Sequence, residues 1–157
     1  MNIFEELVDL LIEKKMTIAS CESCTGGLFA ASIVDVPDAS KVLNASVVTY
    51  SNEAKTKYAN VSPDLIEKYG AVSEEVAMAM AEGLAKETNA NVGVSFSGVA
   101  GPTGGTPEKP VGTVCIGIYI DGERSCETLH LNEGWTRAEI REASVNIMAE
   151  RVIEFLK

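Results

Sequence analysis

One histidine in 157 residues is the first constraint this sequence sets. Protein metal sites draw on clusters of His, Cys and carboxylates. His130 is that one histidine, and the Cys-x-x-Cys of Cys21 and Cys24 has neither a second copy nor a nearby His, so no metal and no other cofactor is expected. Basic residues are also scarce: 13 Lys and Arg face 23 Asp and Glu, a formal net charge of −10. So acidic a chain lacks the positive footprint that polymeric phosphate requires, and no nucleic-acid partner is expected. A small anionic ligand stays open, because a local basic cluster outweighs the global field at short range. No run of about 18 apolar residues occurs, so neither a membrane span nor a membrane partner is expected. The opening Met1-Asn2-Ile3-Phe4-Glu5-Glu6 lacks the basic stretch of a secretory signal. The expectation is therefore a cytoplasmic protein with Cys21, Cys24, Cys115 and Cys126 as free thiols.

What the chain does have is apolar side chains, 46% of the total, enough to close one core. A single domain over residues 1–157 is expected. Ile3, Phe4, Leu7, Leu10 and Leu11 recur at helical spacing over residues 2–15. Residues 16–21 read as a buried strand, 22–27 as a turn, and 27–34 as a helix broken at Pro37-Asp38. A Val- and Thr-rich strand follows at 42–50, then short helices at 52–58 and 63–70. Ser73 caps a longer helix that ends near Asn89, and 91–97 read as a strand. After the Gly- and Pro-rich loop 98–110, strands 111–120 and 123–131 flank Asp121-Gly122, a strong hairpin signal. A helix over about 136–156 closes the chain. Strands alternating with helices predict an α/β fold, a layered sandwich on a mixed sheet, with a C-terminal hairpin and long helix.

Three segments are too rich in small polar residues to be mere connectors. Glu22-Ser23-Cys24-Thr25-Gly26-Gly27 lies at a strand-to-helix junction. There Ser23 stands where a nucleophile would be presented, and the N–H groups of Thr25, Gly26 and Gly27 are candidates for holding an oxyanion. The bland alternative is a helix cap at a tight turn. In Thr49-Tyr50-Ser51-Asn52-Glu53-Ala54-Lys55, the lysine falls in the first turns of a helix. The helix field and any burial would lower its pKa, and a neutral lysine acts as a base toward serine. Tyr50 is placed to relay or donate a proton, although a solvated Lys55 and a half-buried Tyr50 are the plainer reading. Ser97-Gly98-Val99-Ala100-Gly101-Pro102-Thr103-Gly104-Gly105 matches neither phosphate-loop fingerprint, yet Ser97, Gly98, Ala100 and Gly101 let a ligand approach the main chain.

Two further pairs carry weaker signals. Cys21 and Cys24 have redox spacing, but two small buried thiols are the favoured reading. A two-residue turn at Asp121-Gly122 makes Cys115 and Cys126 diagonal across the hairpin, so no disulfide is expected. Arg137 and Arg141, four apart, share a helix face and are spaced to clamp one phosphate; surface pairing with Glu133, Glu139 or Glu142 is the alternative.

In order along the chain, these segments resemble a known family. Glu22–Gly27 is similar to its ESCTGG motif, residues 48–55 to VTYSNEAK, 70–74 to GAVSE, 97–105 to SGIAGPxGG and 109–114 to KPVGTV. The family is that of the nicotinamide mononucleotide deamidases, the stand-alone form of the C-terminal domain of the competence/damage-inducible protein CinA. The resemblance implies hydrolysis of the carboxamide of nicotinamide mononucleotide to nicotinate mononucleotide and ammonia, in pyridine nucleotide recycling. It implies a metal-free catalytic set at Ser23, Tyr50 and Lys55, a small mononucleotide as partner, and assembly as a homo-oligomer of dimer or higher order. A non-catalytic nucleotide-binding or regulatory module linked to competence or DNA damage is the rival reading of the same pocket. Two departures stand out. Cys21 replaces an alanine common before ESCTGG, and one extra residue, with Trp135 in the insert, precedes Arg137 and Arg141. Larger members carry an added N-terminal domain, whose activity is not expected of this chain.

Overall fold

Ile18-Ala19-Ser20-Cys21-Glu22 is buried at every position, because it forms an interior strand of a sheet covered on both faces. The computed structural model describes residues 2–157 and arranges five strands in the order β2-β1-β3-β4-β5. They are β1 (Ile18–Glu22), β2 (Leu43–Val48), β3 (Val92–Gly98), β4 (Thr113–Ile120) and β5 (Glu123–His130). Pairing of β1 with β2 and β3 is parallel; pairing of β3 with β4, and of β4 with β5, is antiparallel. This is the mixed sheet expected of the alternating pattern.

Six α-helices lie among the described residues: α1 (Ile3–Lys14), α2 (Leu28–Val34), α3 (Asn52–Ala59), α4 (Pro63–Tyr69), α5 (Glu74–Thr88) and α6 (Arg137–Leu156). One core joins Phe4, Leu7 and Leu11 of α1, Phe29 and Ile33 of α2, and Ile140, Met148 and Val152 of α6 to Ile18, Val94, Phe96 and Ile116 of the sheet. A smaller core on the opposite face joins Ala19 and Cys21 to Ala59, Ile66, Val76, Met80 and Leu84 of α3, α4 and α5. The alternation of Ile18 and Ala19 between the two cores follows from the two-residue period of a strand. The molecule is thus a single α/β domain in three layers. Helix α5 lies so close to the sheet that a Cβ on Gly117 would sit 2.5 Å from the carbonyl oxygen of Ala77. Only glycine permits that approach.

Local chemistry sets the boundaries. Ser73 caps α5, its hydroxyl accepting from Val76 N–H at 3.2 Å. Thr136 and Glu139 form a reciprocal capping box at α6. Asp121 and Gly122 both have positive φ, as a two-residue hairpin turn requires. The register pairs Cys115 with Thr128 and Gly117 with Cys126, so the two thiols are diagonal and all four cysteines are free.

The order of the strands locates the site. From β1 the chain passes to β2 on one side of it, then returns to β3 on the other. The connections therefore part at the carboxyl end of β1, where open α/β sheets form a crevice. Three loops meet there, at 23–27, 49–51 and 99–112.

Candidate active site

At that crevice lies a cleft of about 310 Å³, walled in part by Ser23, Cys24, Tyr50, Lys55, Ser97 and Arg137. Gly98 and Ala100 also line it, as do Thr103 and Gly104 of the following loop. A larger hollow of about 500 Å³ between α3 and α4 is lined by Asn52, Glu53, Thr56, Lys57, Pro63, Ile66 and Glu67, and it holds no buried lysine in contact with a hydroxyl. Volume ranks it higher; chemistry does not.

The nucleophile turn begins as an extension of β1. Ser23 N–H still donates to Phe96 O, at 3.0 Å, before the chain leaves the sheet. Gly26 N–H then donates back to Ser23 O, at 3.1 Å, closing a turn in which Gly26 and Gly27 take positive φ. Ser23 is nearly buried and does not cap α2: the N-cap is Gly27, which has no side chain to do so. The capping is done by Glu22, whose carboxyl group is fully buried beneath the turn. Its Oε1 accepts from Thr25 Oγ1 at 2.7 Å, Phe29 N–H at 3.0 Å and Gly27 N–H at 3.2 Å. Its Oε2 accepts from Ser20 Oγ at 2.9 Å and Ala30 N–H at 3.0 Å. Glu22 thus takes the orphan donors of α2 from inside the protein.

That changes the expected oxyanion donors. The amides of Gly26 and Gly27 are already used, by Ser23 O and by Glu22. Among the described residues, the amides of Cys24 and Thr25 have no hydrogen-bond partner, and they directly follow Ser23 in the chain. The N–H after a nucleophile is a common oxyanion donor.

Lys55 projects from the second half-turn of α3, a helix capped by Ser51, whose hydroxyl accepts from Ala54 N–H at 3.1 Å. It is a lysine with 1% of its surface exposed. Its Nζ lies 3.2 Å from Ser23 Oγ, and it donates to Thr49 O at 2.8 Å and Tyr50 O at 3.4 Å. Burial lowers its pKa below the ordinary lysine value, against a smaller opposing pull from Cys21 and Cys24. No carboxylate forms a salt bridge with it among the described residues. The solvated surface lysine that was the plainer reading is not what the fold builds.

Tyr50 contributes in two separate ways. Its carbonyl faces Lys55, while its side chain, 61% exposed, points to α6, where its hydroxyl accepts from Arg137 Nη2 at 2.9 Å. The structure thus brings Ser23 and Lys55 into contact but places the phenol of Tyr50 on Arg137. Arg137 also donates to Gly101 O at 2.7 Å and stands at the wall of the cleft. Arg141 lies elsewhere: Nε donates to Cys24 O at 3.1 Å and Nη2 to Thr25 O at 2.8 Å. The two arginines do not converge, and neither pairs with Glu133, Glu139 or Glu142. Ser97 lines the cleft and donates to Ala71 O at 2.7 Å, tying β3 to the segment before α5. Trp135 sits in the turn ahead of α6 and is not part of the wall.

The two thiols of the Cys-x-x-Cys do not form a redox centre. Cys21 faces Thr49 Oγ1 at 3.3 Å in the α5-side core, while Cys24 packs on the opposite core. Burial pushes each thiol up to about 11, opposite to the shift of a reactive cysteine. No group of three His, Cys, Asp or Glu is placed to hold a metal ion among the described residues, nor is any helix there long and apolar enough to cross a membrane.

With this geometry in view, comparison with known proteins is decisive for the family. The model of the CinA C-terminal domain matches residues 1–156. The chain belongs to the CinA C-terminal domain family. A CinA-like protein of Dictyoglomus thermophilum is 54% identical over 131 residues, which cover 83% of this chain and 32% of the relative. A Clostridium botulinum relative named as competence-damage inducible is 45% identical over 156 residues, 99% of this chain and 37% of its own. The chain therefore spans about a third of the length of these curated relatives. Solved structures match it almost end to end. A competence/damage-inducible protein of Agrobacterium tumefaciens has a TM-score of 0.92 at 33% identity, covering all of this chain and 98% of its own. A CinA superfamily protein of Escherichia coli has a TM-score of 0.92 at 30% identity, covering 98% and 88%.

Proposed function

We propose that this CinA-type domain is an amidohydrolase that converts nicotinamide mononucleotide to nicotinate mononucleotide and ammonia. One observation carries the reading: a buried lysine of lowered pKa stands 3.2 Å from the hydroxyl of a serine at the carboxyl end of the interior strand β1. A binding module has no use for such a pair. The substrate itself is inferred from the motif resemblance, together with a cleft that carries Arg137 on its wall, a cation suited to a remote anionic group.

The contacts of Lys55 define the first step. A neutral amine has two N–H donors and one lone pair. The carbonyls of Thr49 and Tyr50 take the two donors, which leaves the lone pair for the Ser23 hydroxyl. Ser23 O–H donates its proton to Nζ as Oγ bonds to the carboxamide carbon. The negative charge on the amide oxygen meets the N–H groups of Cys24 and Thr25. As the tetrahedral species collapses, the C–N bond breaks and Lys55 returns its proton to the leaving nitrogen, releasing ammonia. Water then attacks the acyl-serine, giving a proton to Lys55, and the ester C–O bond breaks. That proton returns to Ser23, and the pyridine carboxylic acid leaves, ionising to the carboxylate as its proton passes to solvent. The ammonium state of Lys55 between steps is held by the same two carbonyls.

Tyr50 acts as an anchor beside Arg137 rather than as a proton carrier, because its hydroxyl is turned to Arg137. The test is ammonia release from nicotinamide mononucleotide, nicotinamide riboside and nicotinamide in parallel. Turnover with the mononucleotide is the expected result; silence with all three would leave the nucleotide-binding module as the reading of this pocket.

A further inference from the structure

Arg141 lies one turn beyond Arg137 on α6, yet it takes no place in the wall of the cleft. Its planar fork sits instead on two consecutive carbonyls of the nucleophile turn, those of Cys24 and Thr25. The guanidinium also lies against Gly26, where a Cβ would be 3.4 Å from Arg141 Nη2, an ordinary contact distance. No carboxylate forms a salt bridge with it among the described residues, and its two main-chain contacts are with these peptides.

Each of these carbonyls shares a peptide plane with the next residue's N–H. Cys24 O belongs to the peptide that carries Thr25 N–H, one of the two unpartnered amides beside Ser23. Thr25 O belongs to the peptide that carries Gly26 N–H, the donor that closes the turn onto Ser23 O. A cation on a carbonyl oxygen draws electron density across the amide and strengthens the donor at its far edge. A two-pronged contact also fixes the tilt of both planes, which a single bond would not. From above, Arg141 therefore holds the same turn that Glu22 holds from below.

We propose that Arg141 is a positioning residue: it orients and polarises the Cys24–Thr25 peptide so that Thr25 N–H meets the oxyanion formed when Ser23 attacks, and it does not bind the substrate's phosphate. The inference rests on the acyl-transfer reading of the cleft. It separates the two arginines that equal spacing on one helix would assign to one task.

The experiment compares wild type, Arg141→Lys and Arg141→Ala, each first checked by circular dichroism and thermal melting. Steady-state rates are measured with the mononucleotide and the riboside. A displaced oxyanion donor lowers kcat on the order of 10²-fold, with KM little changed and the preference for mononucleotide over riboside retained. Added guanidinium restores part of the lost kcat in Arg141→Ala. A collapse of the mononucleotide preference, or a kcat equal to wild type, overturns the inference. A second readout needs neither phosphate nor the proposed substrate: modification of Ser23 by phenylmethanesulfonyl fluoride, followed by intact mass. Ser23 Oγ displaces fluoride while its proton passes to Lys55, and the sulfonyl oxygens use the same donors. Slower labelling in Arg141→Lys supports the proposal, and labelling at the wild-type rate refutes it. Because Lys keeps the charge, it serves if Arg141→Ala does not fold. A wild type that labels at Ser23 yet spares the mononucleotide sinks only the substrate assignment. A wild type that neither labels nor turns over sinks both.

Discussion

Replacing Glu22 with Gln removes one charge and almost no volume, so the consequences follow from hydrogen bonding alone. Five donors converge on the carboxyl group: two hydroxyls and three amides. Glutamine offers one acceptor oxygen, so its NH₂ group must face either two amides and a hydroxyl at the Oε1 position or one of each at Oε2. The second orientation is the less costly. Ser20 Oγ can rotate to accept, since it also contacts Ser46 Oγ at 2.6 Å, but Ala30 N–H has no such freedom. An amide left buried without an acceptor costs about 1–3 kcal/mol. The three bonds kept at Oε1 become neutral ones and lose roughly 0.5 kcal/mol or more each. The expected loss is about 3–4 kcal/mol, a large share of the roughly 5–15 kcal/mol of a whole domain. For a chain of this length that lowers Tm by roughly 6–16 °C. Urea unfolding followed by circular dichroism measures it, through a fall in midpoint at unchanged slope. A Glu22→Gln protein within about 1 kcal/mol of wild type would refute this reading, because neutral-group surface substitutions already fall in that range.

Ser23→Ala keeps the fold and removes ammonia release by several orders of magnitude, since the other hydroxyl of the turn, Thr25, is buried on Glu22; substantial residual release would exclude Ser23 as nucleophile. Lys55→Arg is inactive because guanidinium stays protonated, and wild-type activity rises with pH to a midpoint below the ordinary lysine value, as burial dictates; a flat profile over that range would remove Lys55 as base. The same burial has a stability signature. The unfolded chain holds the Lys55 proton at pH values where the native protein has lost it, so stability rises with pH from the lowered native value up to about 10.4. Thermal melts of wild type and Lys55→Met across that window isolate the slope, which disappears in the variant. Arg137→Ala frees the phenol of Tyr50 and raises KM for the mononucleotide more than for the riboside; an equal effect on both would make Arg137 a strut between Tyr50 and Gly101 rather than an anchor.

The parts of the fold that were legible in the sequence are those with local causes. Asp121-Gly122 marks its turn because two consecutive positive φ values suit few other pairs, and the diagonal placement of Cys115 and Cys126 follows from that turn alone. Ser73 before Val76, and Ser51 before Ala54, announce their helices through a hydroxyl that only neighbouring amides can use. Ser23 and Lys55 stood out for similar reasons, one at a strand-to-helix junction and one near a helix start. Their meeting did not, because it depends on β1 and β2 lying side by side with Thr49 N–H bonded to Glu22 O at 2.8 Å.

Glu22 and Arg141 show where local reasoning stops. An acidic residue ahead of a helix reads as ordinary surface preference for the N-terminal field. Nothing local says that its carboxylate is buried and saturated with donors, because that depends on which face of β1 the even positions take. Residues 18, 20 and 22 point to the α2 side, and the short turn then carries α2 back over Glu22. For the arginines, i and i+4 share a face, yet one helical turn separates them by about 5.4 Å along the axis. At the end of α6 that step crosses the edge of the cleft. Arg137, in the first turn, reaches over the rim to Tyr50 and Gly101, while Arg141 meets the nucleophile turn from outside. Equal spacing on a helix fixes a direction and not a partner, so two like residues one turn apart end on different elements, Arg137 on Tyr50 and Gly101 and Arg141 on the carbonyls of Cys24 and Thr25.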